Sequence, residues 1–143
     1  MIGSGVKIGS GCKIQNNVSI FSGVILEENV FCGPSSVFTN ILYPRAEIDR
    51  RDEFKETFVR KGVSIGANAT ILCGIEIGKY ALIGAGSVVT SSVEPYALMM
   101  GNPARRVGWV GEYGEPRDSN LFCKKTGDQY KYNEGSGLTR CNK

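Results

Sequence analysis

Histidine is absent from this 143-residue sequence, and that gap removes whole chemistries. A hydroxyl nucleophile must lose a proton as it attacks, and histidine is the side chain most often used to take it. Three-histidine zinc sites, such as those of the γ-type carbonic anhydrases, are excluded as well. The five cysteines (Cys12, Cys32, Cys73, Cys123 and Cys141) form no CxxC pair and no four-ligand spacing, so no metal centre is expected. Long apolar runs are also missing. A membrane span needs about 20 consecutive apolar residues, and none occurs here, nor does a leader-like segment precede the first repeats. Unpaired thiols without an export signal point to the cytoplasm. Charge of one sign is scarce: 17 Lys+Arg stand against 14 Asp+Glu, net +3. So small and scattered an excess does not suit nucleic acid, though it suits a phosphorylated small ligand.

What is abundant is glycine, 19 residues in register with aliphatic ones. In "IGANATILCGIEIGKYALIGAGSVV", residues 65–89, Ile65, Ile71, Ile77, Ile83 and Val89 are six apart. Neither a helix nor a lone strand asks for that period. The same phase runs through Ile2, Ile8, Ile14, Ile20, Leu26, Cys32 and Phe38, stops, and resumes at Val59. A second small or aliphatic residue follows four positions after each, as at Val18, Val24, Val63 and Ala69. Two inward residues on a short strand, then a corner of Gly, Asn, Ser or Ala, make one unit. Three units close a triangular coil, and coils stack as parallel strands about 4.8 Å apart. The sequence therefore predicts an all-β fold: a left-handed parallel β-helix over residues 1–98 and a C-terminal cap with a polar tail over 99–143.

The interruption is a loop. Between Phe38 and Val59 lie 15 residues more than the period allows, in a stretch that begins "NILYPRAEIDRRDEFKET". This charged stretch, residues 40–58, leaves the prism at one corner, and a long loop on a compact domain is usually functional. Folding the numbering by coil stacks Asn16, Pro34, Ala67 and Ala85 at one corner. Ser22, Asn40, Cys73 and Ser91 fall at the next, and Glu28, Lys61 and Lys79 at the third. Small residues at Ala67 and Ala85 would let an extended ligand approach the backbone.

With its corner loop and the segment "MMGNPARRVG" (residues 99–108), the chain resembles hexapeptide-repeat acyltransferases that use acetyl-CoA. The run "IQNNVSIFSGVILEENVFCGPSSVFTNILYPRAEI" (14–48) is similar to bacterial nucleotide-sugar N-acetyltransferases, especially those acting on the 3-amino group of UDP-2-acetamido-3-amino-2,3-dideoxy-glucuronate in O-antigen synthesis. The likeness covers about residues 1–115. Members usually begin with further coils and carry Asn-Pro-Arg where this chain has Tyr43-Pro44-Arg45. The resemblance implies a cytoplasmic homotrimer with sites between subunits, taking acetyl-CoA and a UDP-amino sugar and no metal. Alternatives are N-acetylation of a UDP-4-amino sugar and a non-catalytic β-helical subunit.

Missing histidine suits an amine acceptor, because a neutral amine is already nucleophilic and a thioester is activated. Proximity alone can supply roughly 7–11 kcal/mol. For acetyl-CoA the expected residues are Ala67 and Ala85 through their backbone, with Asn102, Arg105 and Arg106 of the cap. For the nucleotide sugar they are Asn16, Glu27, Phe38, Tyr43 and Arg45. Asn40, at the mouth of the loop, is expected to be catalytic: its side-chain carbonyl can accept a hydrogen bond from the amine and aim the lone pair.

Overall fold

The computed structural model describes residues 1–118 and 120–141. Ser119, Asn142 and Lys143 of the expected tail lie outside the described residues. The six-residue period appears as two- and three-residue strands, one per prism face. They run β1 (Lys7–Ile8), β2 (Lys13–Ile14), β3 (Ser19–Ile20), β4 (Val24–Leu26), β5 (Phe31–Cys32) and β6 (Val37–Phe38) before the loop. After it come β7 (Thr57–Val59), β8 (Ser64–Ile65), β9 (Thr70–Ile71), β10 (Glu76–Ile77), β11 (Leu82–Ile83) and β12 (Val88–Val89). Every third strand pairs in parallel, giving the three faces β1-β4-β7-β10, β2-β5-β8-β11 and β3-β6-β9-β12 of a left-handed parallel β-helix.

The inward aliphatic ladder is the core. Ile20, Cys32, Phe38, Val59, Ile65, Ile71, Ile77 and Ile83 are all 0% exposed, and each such side chain contributes about 1.5–3 kcal/mol of burial. Burial pushes the Cys32 thiol up to about 12, so it serves as a small hydrophobe. Ser36 satisfies its hydroxyl on Gly33 O, whereas the buried Thr57 hydroxyl has no partner among the described residues. Ile2 and Ile8, expected in the core, point inward at the end of the stack, where no described residue covers them; they are 53% and 40% exposed.

The corners are set by left-handed residues. Asn17, Ser35, Asn68 and Gly86 have φ of 61°, 61°, 58° and 71°, one coil apart, a conformation that Asn and Gly reach at least cost. At the third corner Asn29 and Gly62 are followed by Tyr80 and Tyr96, with φ of 56° and 63°. Tyrosine there is strained by about 1 kcal/mol or more.

The cap begins at Ala97, where β13 (Ala97–Gly101) continues the second face by pairing in parallel with β11. It then turns back as antiparallel β14 (Ala104–Trp109). The tail, expected to be merely polar, folds into a second hairpin, β15 (Tyr130–Asn133) and β16 (Gly137–Arg140). Its Tyr130 and Leu138 are buried against Tyr96, with Tyr80, Trp109 and Leu121 packed around them. No helix among the described residues is long and apolar enough to cross a membrane.

Candidate active site

Asn16, Pro34, Ala67 and Ala85 do stack on one edge. The amides of Ser35, Asn68 and Gly86 donate to the carbonyls of Asn16, Pro34 and Ala67, at 2.9, 3.0 and 2.8 Å. The carbonyls of this column are thus used between coils. The Ala67 and Ala85 N–H groups have no partner among the described residues, and Pro34 has none to offer. Glycines bring the coils this close: a Cβ on Gly66 would lie 2.5 Å from Ala85 N, and one on Gly33 2.7 Å from Ala67 N. The edge therefore presents two free backbone donors one coil apart, with little side chain in the way.

The cap tip stands at the end of this edge. Gly84 N donates to Met99 O, and Gly101 N donates to the buried Ser87 Oγ, at 2.8 and 3.2 Å. Asn102 follows at the exposed turn, joined to Pro103 by a cis peptide bond. Arg105 and Arg106 sit opposite Met100 and Met99 in the hairpin, so alternation sends them to opposite sides. Arg105 Nη1 donates to Ala104 O at 2.9 Å. Arg106 instead lies over the Trp109 ring, 4.2 Å from its centroid, and Trp109 meets Tyr132 of β15 at 5.4 Å.

The loop has a narrow neck. Lys55 N donates to Asn40 O at 2.9 Å, and Cys73 N donates to Thr39 Oγ1 at 3.0 Å. Both bonds hold the half-buried Asn40 at the edge of the prism. Beyond it Tyr43 is 76% exposed and Arg45 is exposed, its guanidinium donating to the carbonyl of Pro44. A helical turn at Arg51–Glu53 closes the excursion. Residues Arg45, Ala46, Glu47 and Ile48, all exposed, bound an open concavity on the loop surface.

Not all expected residues come together. Asn40 and the Ala67–Ala85 edge stand at the two ends of the face β3-β6-β9-β12, so the loop corner and the backbone-donor corner are different edges of one prism. Two further assignments need correction. Phe38 is 0% exposed; its ring fills a core slot and reaches no ligand. Glu27 is committed elsewhere: Oε1 accepts from Arg60 and Oε2 from the Lys61 amide, each at 2.8 Å. The Arg60 guanidinium holds the Glu27 carboxyl below its ordinary range, and Arg60 binds Glu76 as well. Sequence reading missed Arg60, although excising the loop places it one coil above Glu27. Trp109 and Tyr132 gave no such signal.

Residues 56–91 match the family of bacterial transferase hexapeptide repeats (six repeats), and residues 1–22 match the hexapeptide repeat of succinyl-transferase. By repeat and by fold this is a hexapeptide-repeat protein, and acetyltransferases are among the proteins it is similar to. It is 46% identical over 87 residues to the dTDP-3-amino-3,6-dideoxy-alpha-D-galactopyranose 3-N-acetyltransferase of Aneurinibacillus thermoaerophilus, covering 59% of this chain and 45% of that protein. It is 40% identical over 104 residues to the serine acetyltransferase of Haemophilus influenzae, covering 73% of this chain and 32% of the relative. Among solved structures, a hexapeptide-repeat acetyltransferase of Vibrio cholerae superposes with a TM-score of 0.65 at 28% identity, covering 74% and 63% of the two chains. The chain spans less than half the length of these two curated relatives.

Proposed function

We propose that this chain transfers the acetyl group of acetyl-CoA to the amino group of a nucleotide-linked amino sugar, at the 3-amino position. The sugar is of the kind used in O-antigen and other surface polysaccharides. The observation that carries the reading is the edge at Ala67 and Ala85, whose two unpaired N–H groups can receive the carbonyls of the extended pantetheine arm. Asn102 at the exposed turn next to Gly101 is assigned to the phosphate end together with Arg105, whereas Arg106 leans onto Trp109. In the reaction the amine nitrogen attacks the thioester carbonyl. The C–N bond forms, the C–S bond breaks, coenzyme A leaves as the thiolate, and the surplus ammonium proton passes to solvent or to that thiolate. Nothing in this sequence requires a histidine. The likeness to a 3-N-acetyltransferase over 87 residues supports the amine acceptor.

Because the loop corner and the donor edge are apart in one subunit, the reading includes a homotrimer in which Asn40, Tyr43 and Arg45 of one copy face the edge of the next. An uncharged prism face supports this: Phe21, Val37, Thr39, Thr70, Leu72 and Val88 point outward on it without a single ion among them. Asn16, at the base of the edge, and Arg45 serve the nucleotide sugar. Glu27 and Phe38 drop out of direct contact.

A second reading, O-acetylation of serine, is favoured by the 40% identity to a serine acetyltransferase. An acceptor panel separates the two. Acetyl-CoA with UDP-3-amino-uronate, a dTDP-3-amino-3,6-dideoxyhexose, a UDP-4-amino sugar or serine should release coenzyme A only with a 3-amino nucleotide sugar. Turnover of serine alone would overturn the proposal, and so would a monomer by light scattering at micromolar concentration.

A further inference from the structure

One position in the donor column lacks what its neighbours have. Asn16, Pro34, Ala67 and Ala85 stand in register, because Ile14 pairs with Cys32, Cys32 with Ile65 and Ile65 with Ile83. The N–H groups of Asn16, Ala67 and Ala85 have no partner among the described residues, and Pro34 carries none. Turn geometry does not single out this level for proline. Ser36, Ala69 and Ser87 donate back to the carbonyls of Gly33, Gly66 and Gly84 at 3.2, 3.3 and 3.3 Å. Ser35, Asn68 and Gly86, third in each turn, have φ of 61°, 58° and 71°. All three corners are thus type II turns, whose second position favours proline at every level. The level beneath differs too. Gly33 and Gly66 bring no Cβ toward Ala67 N and Ala85 N, whereas Gln15, in the equivalent place one coil lower, is not a glycine.

Resting on the reading of Ala67 and Ala85 as donors to the coenzyme arm, we propose that Pro34 is a positioning residue that fixes the register of that arm. The two amide carbonyls of pantetheine are joined through four bonds, so in an extended arm they face the same side about 5 Å apart. Coils repeat at about 4.8 Å, and the arm therefore takes two donors one coil apart. Ala67 and Ala85 form such a pair; Asn16 lies two coils below Ala67 and has no free donor next to it in the column. With the phosphates at the cap end, Ala67 holds the lower carbonyl. Four further bonds lead from there to the sulfur, which comes level with Pro34. Pro34 and Asn40 flank β6 at successive corners of one coil, so in a parallel trimer the neighbouring copy's Asn40 stands near that height. A donor at position 34 would open a second register one coil lower, with the sulfur beside Asn16 and away from Asn40. Proline withholds that donor.

S-acetylpantetheine has both carbonyls and no phosphate, so it reports the register of the arm alone. Ala85→Pro removes one donor from a turn that accepts proline, and should weaken binding of this probe about fivefold, the effect of one hydrogen bond. Adding Pro34→Ala restores two donors one coil lower. The double variant should then bind S-acetylpantetheine like the parent by NMR titration, yet acetylate the 3-amino nucleotide sugar at least about tenfold more slowly. Pro34→Ala alone introduces no new ring and tests the role even where the double variant fails to fold. It should lower kcat and the KM for S-acetylpantetheine together, each about twofold, because half of the bound arms sit in the wrong register. A double variant that binds no better than Ala85→Pro, or one that keeps the parental rate, would overturn the role of Pro34 while the coenzyme edge stands. So would an unchanged kcat in Pro34→Ala. Parental binding in both Ala67→Pro and Ala85→Pro would remove the edge as the coenzyme site. A parent chain that binds neither coenzyme A nor S-acetylpantetheine would remove the coenzyme reading itself, and this inference falls with either.

Discussion

Tyr80 and Tyr96 occupy the same corner one coil apart, both in the left-handed conformation, with ring centroids 5.5 Å apart and planes only 16° from parallel. The strain of two tyrosines at glycine-like positions is offset by the seat they make for the tail. Tyr96→Ala removes a ring that is 2% exposed, at a cost of about 3–5 kcal/mol. The tail should then leave the prism while the coils stay folded. Limited trypsinolysis would show this as rapid cleavage at Lys124 and Lys125 with a resistant N-terminal fragment. Uniform resistance would mean that the tail is held by something else.

Asn40→Ala tests the amine-orienting role. The backbone carbonyl of Asn40 keeps its bond to Lys55 in this variant, so the loop neck survives. The expected outcome is a kcat at least about tenfold lower, equivalent to about 1.4 kcal/mol, with little change in the KM for acetyl-CoA. A folded variant turning over at the parental rate would reduce Asn40 to a turn residue.

Gly66→Ala forces a methyl carbon to 2.5 Å from the backbone nitrogen of Ala85. Backbone cannot step aside as a side-chain tip can, so the coils must spread along the proposed coenzyme edge. Overpacking of this kind costs about 1–3 kcal/mol. The Tm should fall by several degrees, and the KM for acetyl-CoA should rise as the spacing of the two donors changes. A lower Tm with unaltered KM would separate the edge from the coenzyme.

Arg60 bonds Glu27 and Glu76 at once, each at 2.8 Å, and holds both carboxyls below their usual range. Their folded pKa values lie under the unfolded ones, near pH 4.3. The contribution is therefore complete above that range and disappears as pH falls through the lowered values. All three groups are more than a third exposed, so each pair is worth at most about 1 kcal/mol. The Tm gap between the parent and Arg60→Gln should be present at pH 7 and close on acidification; a gap that persists at pH 2.5 would assign the stabilisation to packing of Arg60 on Phe58, 5.1 Å away.

The prism was legible because its information is local and repeated: Ile65, Ile71, Ile77 and Ile83 declare the period, and coil arithmetic alone stacks Ala67 under Ala85. The Glu27–Arg60 pair was legible by the same arithmetic once the loop was taken out. Phe38 misled because it combines a core slot with a place in a resembling motif, and the core slot won. The tail could not be read. Its anchors are contacts among Tyr80, Tyr96 and Tyr130, set by three-dimensional packing with no period behind it. The Arg106–Trp109–Tyr132 stack likewise depends on how two hairpins meet, which no spacing encodes.

The neck at Asn40 and Lys55 has a consequence for how such a protein diversifies. One hydrogen bond closes the chain on itself before the next coil begins, so residues 41–54 add nothing to the phase of the coils on either side. Their length and chemistry can be rewritten while the scaffold keeps its pitch, its core and its edge of free amides. Under the proposed function, acceptor choice and donor choice are in this sense separately inheritable: the loop is an exchangeable cassette, and the prism is the invariant frame into which it is fitted.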